Sequence, residues 1–472
     1  MALSPVLSIA ERALLANDTA LEVVGNNISN VNTPGYSRQV PDFRAGEPVV
    51  DVSGKLVGTG GEIRAIDRIV EPLLEKRLAG AETSKQQQGA LSDQLSALAG
   101  VLNDLQDPSL SSTLSSFFDA LDALANNPAG LAERQAVLGR AQAVAAELNR
   151  RSASVATLQR NADDGIVADV GTANDLLQQI AALNVSIASA ETGGQKANDL
   201  RDARQQAIVK LAGLVAIQTQ EDARGGVSIS TSNGIGLVTA GTLVHRFAVD
   251  DGAQGLDGLL LHTPGLVDDA GNFLDVAGTF AGGAIAGLLA ARDQSFPAAS
   301  TALDTFATTF RDAVNGIQQA GFDLDGSSTA AVPLFGGTGA RDLVVLLDPA
   351  ADPSAPRRLA AGTTTNPGDN TNALALADLR TTALAALGGV TLSDYLGIEQ
   401  GRVGEDASRA SDAAEVANLL QRQLENQRQA VSGVNLNEEL TNLIRYQNAF
   451  QAASQVVRVA NAVLQDLVSI LR

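Results

Sequence analysis

The chain has 472 residues, which is long for a single core and predicts about three domains. Hydrophobic residues make up 45% of it and aromatic residues only 3%, so aliphatic side chains that suit close helix packing must form the cores. A formal net charge of −20 argues against nucleic acid and against a membrane as partners. Because cysteine is absent, disulfides, thiolate metal sites and cysteine nucleophiles are excluded.

The first residues carry no pattern of a cleaved secretory signal. They lack a basic segment, and Glu11 and Arg12 interrupt the apolar run. No uncharged apolar stretch of about 18 residues is present in the sequence. Taken alone, these features predict a cytoplasmic protein, although an export route that reads an uncleaved N-terminus would leave the same pattern.

Two apolar series with a spacing of seven run through the C-terminal stretch, and together they form the a/d pattern of a coiled-coil helix. The predicted C-terminal seam contains Leu443, Tyr446, Phe450, Val457, Leu464, Leu467 and Leu471, with Ala453 and Ala460 among them. A matching N-terminal seam, in a helix expected from about residue 4 to residue 28, contains Leu7, Leu14, Leu21 and Ile28. Such ends predict that the chain either clasps itself or packs into an array.

Pairing the terminal helices only with each other would cover one side of each apolar stripe. The flanks beyond the seam are then expected to stay exposed, namely Ile9, Leu15, Val23, Ile444 and Val456. Burial of apolar surface contributes about 25 cal/mol per Å², so neighbouring copies that cover these flanks could add stabilisation. We therefore expect residues 1–40 and 435–472 to be loosely structured in the free subunit and to order on assembly.

Between the ends, leucine and alanine at helical spacing predict a helical bundle. One helix is expected from residue 129 to about residue 161, and a further heptad seam lies between residues 173 and 190. Short strands are expected near residues 45–70. The bundle domain is assigned to residues 41–214, 283–320 and 380–434.

Alternating apolar and polar runs between turn signals predict a β-rich outer domain at residues 215–282 and 321–379. The turn signals include Asn233-Gly234, Asp251-Gly252 and Ala270-Gly271-Asn272. The predicted fold class is mainly α with a β-rich insertion (α+β), in an elongated multidomain chain with paired N- and C-terminal coiled-coil helices.

A turn rich in asparagine follows the first helix. Pro34 fixes φ at one corner, Gly35 takes the positive-φ corner, and asparagine side chains can bond back to the chain. The residues singled out as an N-terminal assembly motif are Asn26, Asn27, Asn30, Thr33, Pro34, Gly35 and Tyr36. Composition alone is also compatible with an ordinary loop that ends a helix.

The segment from Asn26 to Gln39 resembles the N-terminal signature of the bacterial flagellar axial family, which comprises rod, hook and hook-associated proteins. Residues 432–471 are similar to the C-terminal signature of the same family. Two internal segments, 282–326 and 368–379, are similar to hook-associated members and not to rod or hook subunits. Gln318 is a departure, because the family pattern usually has a histidine there.

The resemblance implies a structural protein that self-assembles through its terminal helices. It also implies flagellar type III export without signal-peptide cleavage, an extracellular location in the bacterial flagellum, and a homo-oligomeric ring between hook and filament. The implied partners are the hook protein, a second junction protein called hook-associated protein 3, and a cytoplasmic export chaperone that binds the C-terminal helix. The alternatives are another axial subunit of the hook or distal rod, or a secreted enzyme with a flagellar anchor.

The sequence predicts no catalytic site, no cofactor and no metal. His245 and His262 are the only histidines; they lack metal-ligand spacing and are explained as strand residues near turns. The Gly58-Thr59-Gly60 and Gly234-Ile235-Gly236 segments lack the third glycine of a dinucleotide-binding pattern. Asp323-Leu324-Asp325-Gly326 places its glycine two residues too early for an EF-hand loop and is a turn.

Overall fold

The computed structural model describes residues 3–50, 54–103, 109–222, 224–239, 241–268, 270–276 and 278–470. It is 61% helical and contains small antiparallel sheets. The predicted fold class, mainly α with a β-rich insertion, is confirmed.

Helices account for most of the described chain. They are α1 (Leu3–Ser29), α2 (Pro72–Leu102), α3 (Leu110–Asn126), α4 (Leu131–Ala190), α5 (Asn198–Leu214), α6 (Ala284–Ala290), α7 (Phe296–Gln318), α8 (Thr371–Asp378), α9 (Leu392–Ser432) and α10 (Leu436–Ile470). A π-helical turn, Ala291–Ser295, joins α6 to α7.

The strands form small antiparallel sheets, and most of them pair with a neighbour in sequence. They are β1 (Gln39–Ala45), β2 (Val49–Val50), β3 (Leu56–Val57), β4 (Gly61–Arg68), β5 (Ile217–Glu221), β6 (Val227–Thr231), β7 (Gly236–Thr239), β8 (Thr242–Leu243), β9 (His245–Gln254), β10 (Leu260–Asp268), β11 (Phe273–Leu274), β12 (Phe335–Gly336) and β13 (Val344–Val345). β1 pairs with β4, and β2 pairs with β3; these four strands are called the 39–68 hairpin below.

The main core lies among α3, α4 and α7, and it concentrates the few aromatic residues of the chain. Phe117 on α3 packs against Phe118, Phe310 and Phe335 at ring-centroid distances of 5.5, 5.6 and 6.4 Å. All four rings are fully or almost fully buried. Aliphatic side chains from α2, α4, α8 and α9 complete the same cluster.

Residues 321–379 were grouped with the β-rich domain on sequence. Their strands β12 and β13 have only two residues each. Their apolar side chains, including Leu334, Leu343 and Leu359, are buried in the same cluster as the α3, α4 and α7 residues. We propose that this segment belongs structurally to the helical body.

The helix expected to end near residue 161 continues to Ala190, so α4 is one helix of 60 residues. Gly165 and Gly171 lie inside it, and each costs about 1 kcal/mol relative to alanine. Ile166 and Val170, which lie between these glycines, are buried in the second core cluster. Tertiary packing therefore offsets the weak local helix propensity.

The β-rich insertion contains a four-stranded sheet in the order β5-β6-β7-β8 and a three-stranded sheet in the order β11-β10-β9. The turns at Asn233-Gly234 and at residues 270–272 are confirmed, with Gly234 and Gly271 at φ values of 88° and 86°. The turn predicted at Asp251-Gly252 is wrong. β9 continues to Gln254 with irregular pairing to β10, and the chain reverses at residues 255–259, where Gly258 has a positive φ.

Gln318, the departure from the family pattern, is fully buried at the end of α7. Its Nε2 donates to the Arg358 carbonyl at 3.0 Å, and its Oε1 accepts from the Ala360 amide at 3.0 Å. The amide side chain therefore satisfies both a donor and an acceptor of the 358–360 backbone.

A buried carboxylate fastens the β9–β10 hairpin to the long helix α4. Asp163, which is completely buried, accepts hydrogen bonds from the His262 amide (2.9 Å) and from Arg292 Nη1 (2.7 Å). Its second oxygen lies 2.7 Å from His262 Nδ1. Burial alone would raise the pKa of Asp163, but the His262 and Arg292 interactions outweigh it and hold the pKa below its ordinary value of 3.8.

This lowered pKa predicts a pH-dependent contribution to stability. Because the folded-state pKa lies below the unfolded value, the contribution is present above about pH 3.8 and is lost as pH falls through the folded pKa. We expect Asp163→Asn to lower the free energy of unfolding by roughly 1.5–3 kcal/mol at pH 7, as for a lost hydrogen bond to a charged group. Urea unfolding from pH 7 to pH 2.5 should show the free energies of unfolding of wild type and variant converging at acid pH. A difference in these free energies that stays constant with pH would contradict this assignment.

Candidate assembly site at the terminal helices

The two terminal helices run antiparallel against each other. Asn27 near the end of α1 contacts Glu439 near the start of α10, and Val24 and Ala20 pack against Tyr446 farther along. Ala20, Val24 and Tyr446 are buried, with 0%, 2% and 7% of their surfaces exposed. The first of the two sequence-based possibilities, a chain that clasps itself, is therefore present within one subunit.

The predicted seam residues line this pairing but are mostly not its most buried members. Seven of the predicted seam residues are half-buried, namely Leu7, Leu14, Leu21, Ile28, Leu443, Phe450 and Val457. On α10 the series Tyr446, Ala453 and Ala460 is buried. On α1 the buried stripe contains Ala10, Ala16, Ala20, Val23, Val24 and Asn27.

The expectation that Val23 stays exposed is wrong, because only 5% of its surface is accessible. The cause is the 39–68 hairpin, whose strands β1 and β4 pack on α1 as a second partner. Phe43 of β1 also stacks on Tyr446 at a centroid distance of 5.8 Å. α1 is thus covered on two sides, and its buried stripe lies between the two partners.

The seam ends before α10 does. Since both helices rise about 1.5 Å per residue and Asn27 faces Glu439, Leu3 lies opposite about residue 463. Leu464 is accordingly exposed, with 36% of its surface accessible. The side chains of Leu467 and Leu471 lie outside the described residues.

Asn27 is the centre of a polar hub that we define as Asn27, Tyr36, Arg38, Gln39 and Glu439. Its Nδ2 donates to the Gln39 carbonyl (2.8 Å) and to Glu439 Oε2 (3.2 Å). Its Oδ1 accepts from Tyr36 Oη (2.9 Å) and from the Gln39 amide (3.0 Å). Only 1% of Asn27 is exposed, so one asparagine ties α1, the motif loop, β1 and α10 together.

Tyr36 acts in this hub as a hydrogen-bond donor. Burial raises the pKa of Tyr36 well above its ordinary value of 10.0, and the nearby carboxylates of Asp199, Asp202 and Glu439 raise it further. The hydroxyl therefore keeps its proton and its bond to Asn27 throughout the physiological pH range.

The remaining asparagines of the motif shape the loop locally. Asn30 Nδ2 donates to Asn26 Oδ1 (2.7 Å) and to the Asn26 carbonyl (3.0 Å), and Thr33 Oγ1 donates to Asn30 Oδ1 (3.0 Å). Asn26 and Asn30 are half-buried and Thr33 is exposed. These side chains hydrogen-bond to one another and close the turn after α1.

The Pro34-Gly35 corner docks the motif on the helical body. Gln206 Nε2 donates to the Pro34 carbonyl (2.6 Å), and Arg428 Nη2 donates to the Gly35 carbonyl (2.9 Å). Gly35 has φ 78°, and a Cβ there would lie 2.2 Å from Gln206 Nε2. The left-handed turn favours glycine, and a Cβ there would displace the Gln206 side chain that docks on Pro34.

Two clefts flank this corner. The larger, of about 530 Å³, lies between the loop and the end of α9, and the smaller, of about 280 Å³, lies between α2, α5 and α9. Arg428 lines both clefts and pairs with Glu75 of α2 at 2.9 Å. The pair therefore joins the start of α2 to the end of α9.

Sequence reasoning missed the charged residues that complete the site. Arg38 Nη1 pairs with Glu438 and Arg38 Nε with Glu439, both at 2.7 Å, and 1% of the Glu439 side chain is exposed. Asp202 of α5 accepts from the Ser37 amide (2.8 Å) and from Arg68 (2.7 Å). The signal available in the sequence was one arginine, Arg38, at the end of the Asn26–Gln39 segment, together with two adjacent glutamates at the start of the C-terminal helix.

The expectation that the ends are loosely structured concerns the free subunit and stays a prediction. In the structure both helices are formed and paired within one chain. We expect brief proteolysis of the purified monomer to cut within residues 1–40 and 435–472 before it cuts α3 or α4, because the terminal cluster is small. Terminal regions as resistant as the middle would contradict this expectation.

No described helix has the length and apolar character needed to cross a membrane. Within the described ranges, no group of three or more His, Asp or Glu side chains could hold a metal ion. His245 and His262 both lie on strands, β9 and β10.

Both ends of the chain match models of flagellar proteins. Residues 7–36 match the family described as flagella basal body rod protein, and residues 425–470 match the family described as flagellar basal body rod FlgEFG protein C-terminal. These matches, which include the clasped terminal helices, place the chain among the axial proteins of the bacterial flagellum. Its class is structural.

Residues 95–335, half of the chain, match the model described as flagellar hook-associated protein FlgK helical domain. The chain belongs to this hook-associated protein family. The family resemblance stated from sequence is thereby confirmed.

Similar proteins cover the whole length. The chain is 29% identical to flagellar hook-associated protein 1 of Bacillus subtilis (strain 168), over 98% of this chain and 97% of that protein. It is 26% identical to the protein of the same name from Salmonella typhimurium, over 99% of this chain and 100% of that protein. The solved structure of the flagellar hook junction protein FlgK from Burkholderia pseudomallei has the same fold, with a TM-score of 0.63 at 16% identity over 75% of this chain and all of that one.

Proposed function

We propose that this protein forms the junction that connects the flagellar hook to the filament, and that copies assemble through their terminal helices. The observation that carries the proposal is that α10 buries one seam against α1 while large apolar side chains elsewhere on it are exposed. Exposed apolar surface of this kind marks a protein interface. Support also comes from the names and full-length match of the relatives.

In this proposal, residues 1–40 and 435–472 form the inner polymerisation layer. The helical body and the β5–β11 insertion lie outside it. The assembly is a homo-oligomeric ring that contacts the hook protein on one side and hook-associated protein 3 on the other. The role is structural and requires no catalysis, in keeping with the structural relatives.

Before assembly, the exposed face of α10 needs cover. We propose that a cytoplasmic export chaperone binds this helix, because Val459 and Ile444 expose 53% and 59% of their surfaces to water. Replacing both with serine should weaken chaperone binding at least tenfold in calorimetry. Unchanged affinity would show that the chaperone does not bind these residues of α10, which contradicts this part of the proposal.

Export is proposed to use the flagellar apparatus without cleavage of a signal peptide. Mass spectrometry of the protein recovered from purified flagella should show the N-terminal peptide beginning at Met1 or Ala2. A start farther into α1 would overturn this part of the proposal.

Deletion of the gene followed by electron microscopy tests the function. We expect cells with hooks but without filaments, and filament protein released into the medium. Reintroducing the gene should restore filaments. Normal filaments on the deletion strain would refute the junction role.

A further inference from the structure

The chain crosses twice between its terminal elements and the helical body. We call α1, the motif loop, the 39–68 hairpin and α10 together the terminal unit. Residues 69–71 lead from β4 into α2, and residues 433–435 lead from α9 into α10. The Arg428–Glu75 pair, at 2.9 Å, holds the end of α9 beside the start of α2, so the two connectors lie near each other. Short connectors at the ends of elements are the usual position of a hinge.

The surfaces that meet at this joint are mainly polar. Among the described residues, the buried apolar cluster of the terminal unit, around Ala20, Val24 and Tyr446, shares no member with the three clusters of the helical body. The clefts of about 530 and 280 Å³ both lie in this joint, beside the Pro34-Gly35 corner. Because apolar burial is the dominant force that holds packed elements together, this joint depends mostly on hydrogen bonds and ion pairs.

Three buried polar atoms at the joint have no hydrogen-bond partner within the part of the chain that the structure describes. They are Glu75 Oε2 at the start of α2, Asn198 Oδ1 at the start of α5 and Ser432 Oγ at the end of α9. A buried polar atom without a partner destabilises the state that buries it, because water would bond to it if it were exposed. Opening of the joint therefore relieves a cost that the closed arrangement carries.

One side of α5 supplies contacts that hold the joint closed. Asn198, Asp202 and Gln206 recur every four residues and therefore lie along one side of the helix. Asn198 Nδ2 donates to the Ile66 carbonyl at 2.8 Å, and Gln206 Nε2 donates to the Pro34 carbonyl at 2.6 Å. We call these three residues of α5 the α5 latch.

Asp202 is the centre of the α5 latch. Only 4% of it is exposed, and its carboxylate accepts from the Ser37 amide (2.8 Å), from Ser37 Oγ (2.9 Å) and from Arg68 Nη1 (2.7 Å). Ser37 lies in the loop after α1, and Arg68 ends β4. Hydrogen bonds to an ionised acceptor are among the stronger ones in proteins. One carboxylate of the helical body thus holds two separate parts of the terminal unit.

We propose that the α5 latch sets the angle between the terminal unit and the helical body, with Asp202 as its positioning residue. When the latch opens, the terminal unit turns as one body about residues 69–71 and 433–435. The inference rests on the proposed function for its purpose: the helical body can tilt between the hook and the filament while the paired terminal helices keep their packing.

Distances between two spin labels test the latch in the isolated full-length protein. Because the chain contains no cysteine, Glu62→Cys on β4 and Ala182→Cys on α4 place the labels specifically, and both positions are exposed. Double electron–electron resonance should give one dominant distance. Adding Asp202→Asn should raise the ratio of other distances to the dominant one by roughly tenfold or more, as for lost hydrogen bonds to a charged group. An unchanged distribution would overturn the proposal, and so would the absence of a dominant distance before the substitution.

The matched control is Asp199→Asn, about one turn away on α5. Asp199 accepts a hydrogen bond from Gln39 Nε2 at 2.8 Å, and asparagine keeps an acceptor oxygen for it. This variant should leave the distances unchanged, and an effect equal to that of Asp202→Asn would show that Asp202 is not the centre of the latch.

Arg68→Gln approaches the same contact from the terminal unit. It should change the distances in the same direction as Asp202→Asn, and it should add little to Asp202→Asn in the double variant, because both substitutions remove one shared interaction. Fully additive effects would show that the two residues act independently, which contradicts the latch.

Hydrogen exchange separates turning from unfolding. Amides of α1 and β1 should keep their protection in the Asp202→Asn variant, because their partners α10 and β4 turn with them. Loss of protection throughout the terminal unit would show that Asp202 acts in folding and not in positioning, which overturns the proposal. Failure of the proposed function is distinguishable, because these measurements use the isolated protein, whereas the junction role is judged from filaments on the deletion strain.

Discussion

Asn27→Ala is expected to lower the local stability of the terminal helix pair by roughly 3 kcal/mol. The substitution leaves Tyr36 Oη, the Gln39 amide and the Gln39 carbonyl without their buried partner, and it removes one bond from Glu439. Each buried polar group left unsatisfied costs about 1–3 kcal/mol. Part of that cost is recovered as the loop relaxes towards water.

Native-state hydrogen exchange measures this effect where it acts. Amides of α1 and α10 should exchange roughly 100-fold faster in the variant, which corresponds to about 3 kcal/mol, whereas those of α3 should be unchanged. The matched control is Asn30→Ala, whose side-chain hydrogen bonds stay within the loop, to Asn26, Ser29 and Thr33. Equal effects of the two substitutions would show that Asn27 is not the centre of the hub.

Tyr446→Ala is expected to separate α10 from α1. Tyr446 fills the middle of a small cluster with Ala20 and Val24 and stacks on Phe43. Removing a buried aromatic ring costs about 3–5 kcal/mol. The cluster has few other members to compensate, so the terminal helices should become protease-sensitive in the variant while the main core keeps its melting temperature.

Ile444→Ala is the matched control on the same helix, two residues away. Because 59% of Ile444 is exposed, its removal should change monomer stability by less than about 0.5 kcal/mol. It should nevertheless reduce incorporation into flagella if the exposed side of α10 contacts a neighbouring copy. If the Ile444→Ala subunit is stable but assembles poorly, Ile444 acts in assembly and not in folding. Equal protease sensitivity of the Ile444→Ala and Tyr446→Ala variants would contradict these assigned roles.

Much of the fold follows from local pattern in the sequence. The heptads of the C-terminal helix predict a seam whose Tyr446, Ala453 and Ala460 series is indeed buried. The Asn-Gly turn at residues 233–234 is set by local backbone chemistry and was predictable for the same reason. Gly35 has the positive φ that the Pro34-Gly35 pair predicts, because this conformation also depends on local sequence.

What the sequence could not provide depends on contacts between distant segments. The burial of Val23 requires the 39–68 hairpin to lie on α1, and no periodicity within α1 encodes that partner. The continuity of α4 through its glycines depends on neighbouring elements that pack on both halves. The pairing of Arg38 with Glu439 joins residues 401 positions apart, and only the fold brings them together.

Locating the protein in intact flagella tests the central claim most directly. An epitope inserted in the exposed turn at residues 270–272 would be labelled with gold-conjugated antibody and viewed by electron microscopy. The account predicts a single band of label at the boundary between hook and filament. Label along the whole filament, along the hook, or in the rod would contradict it.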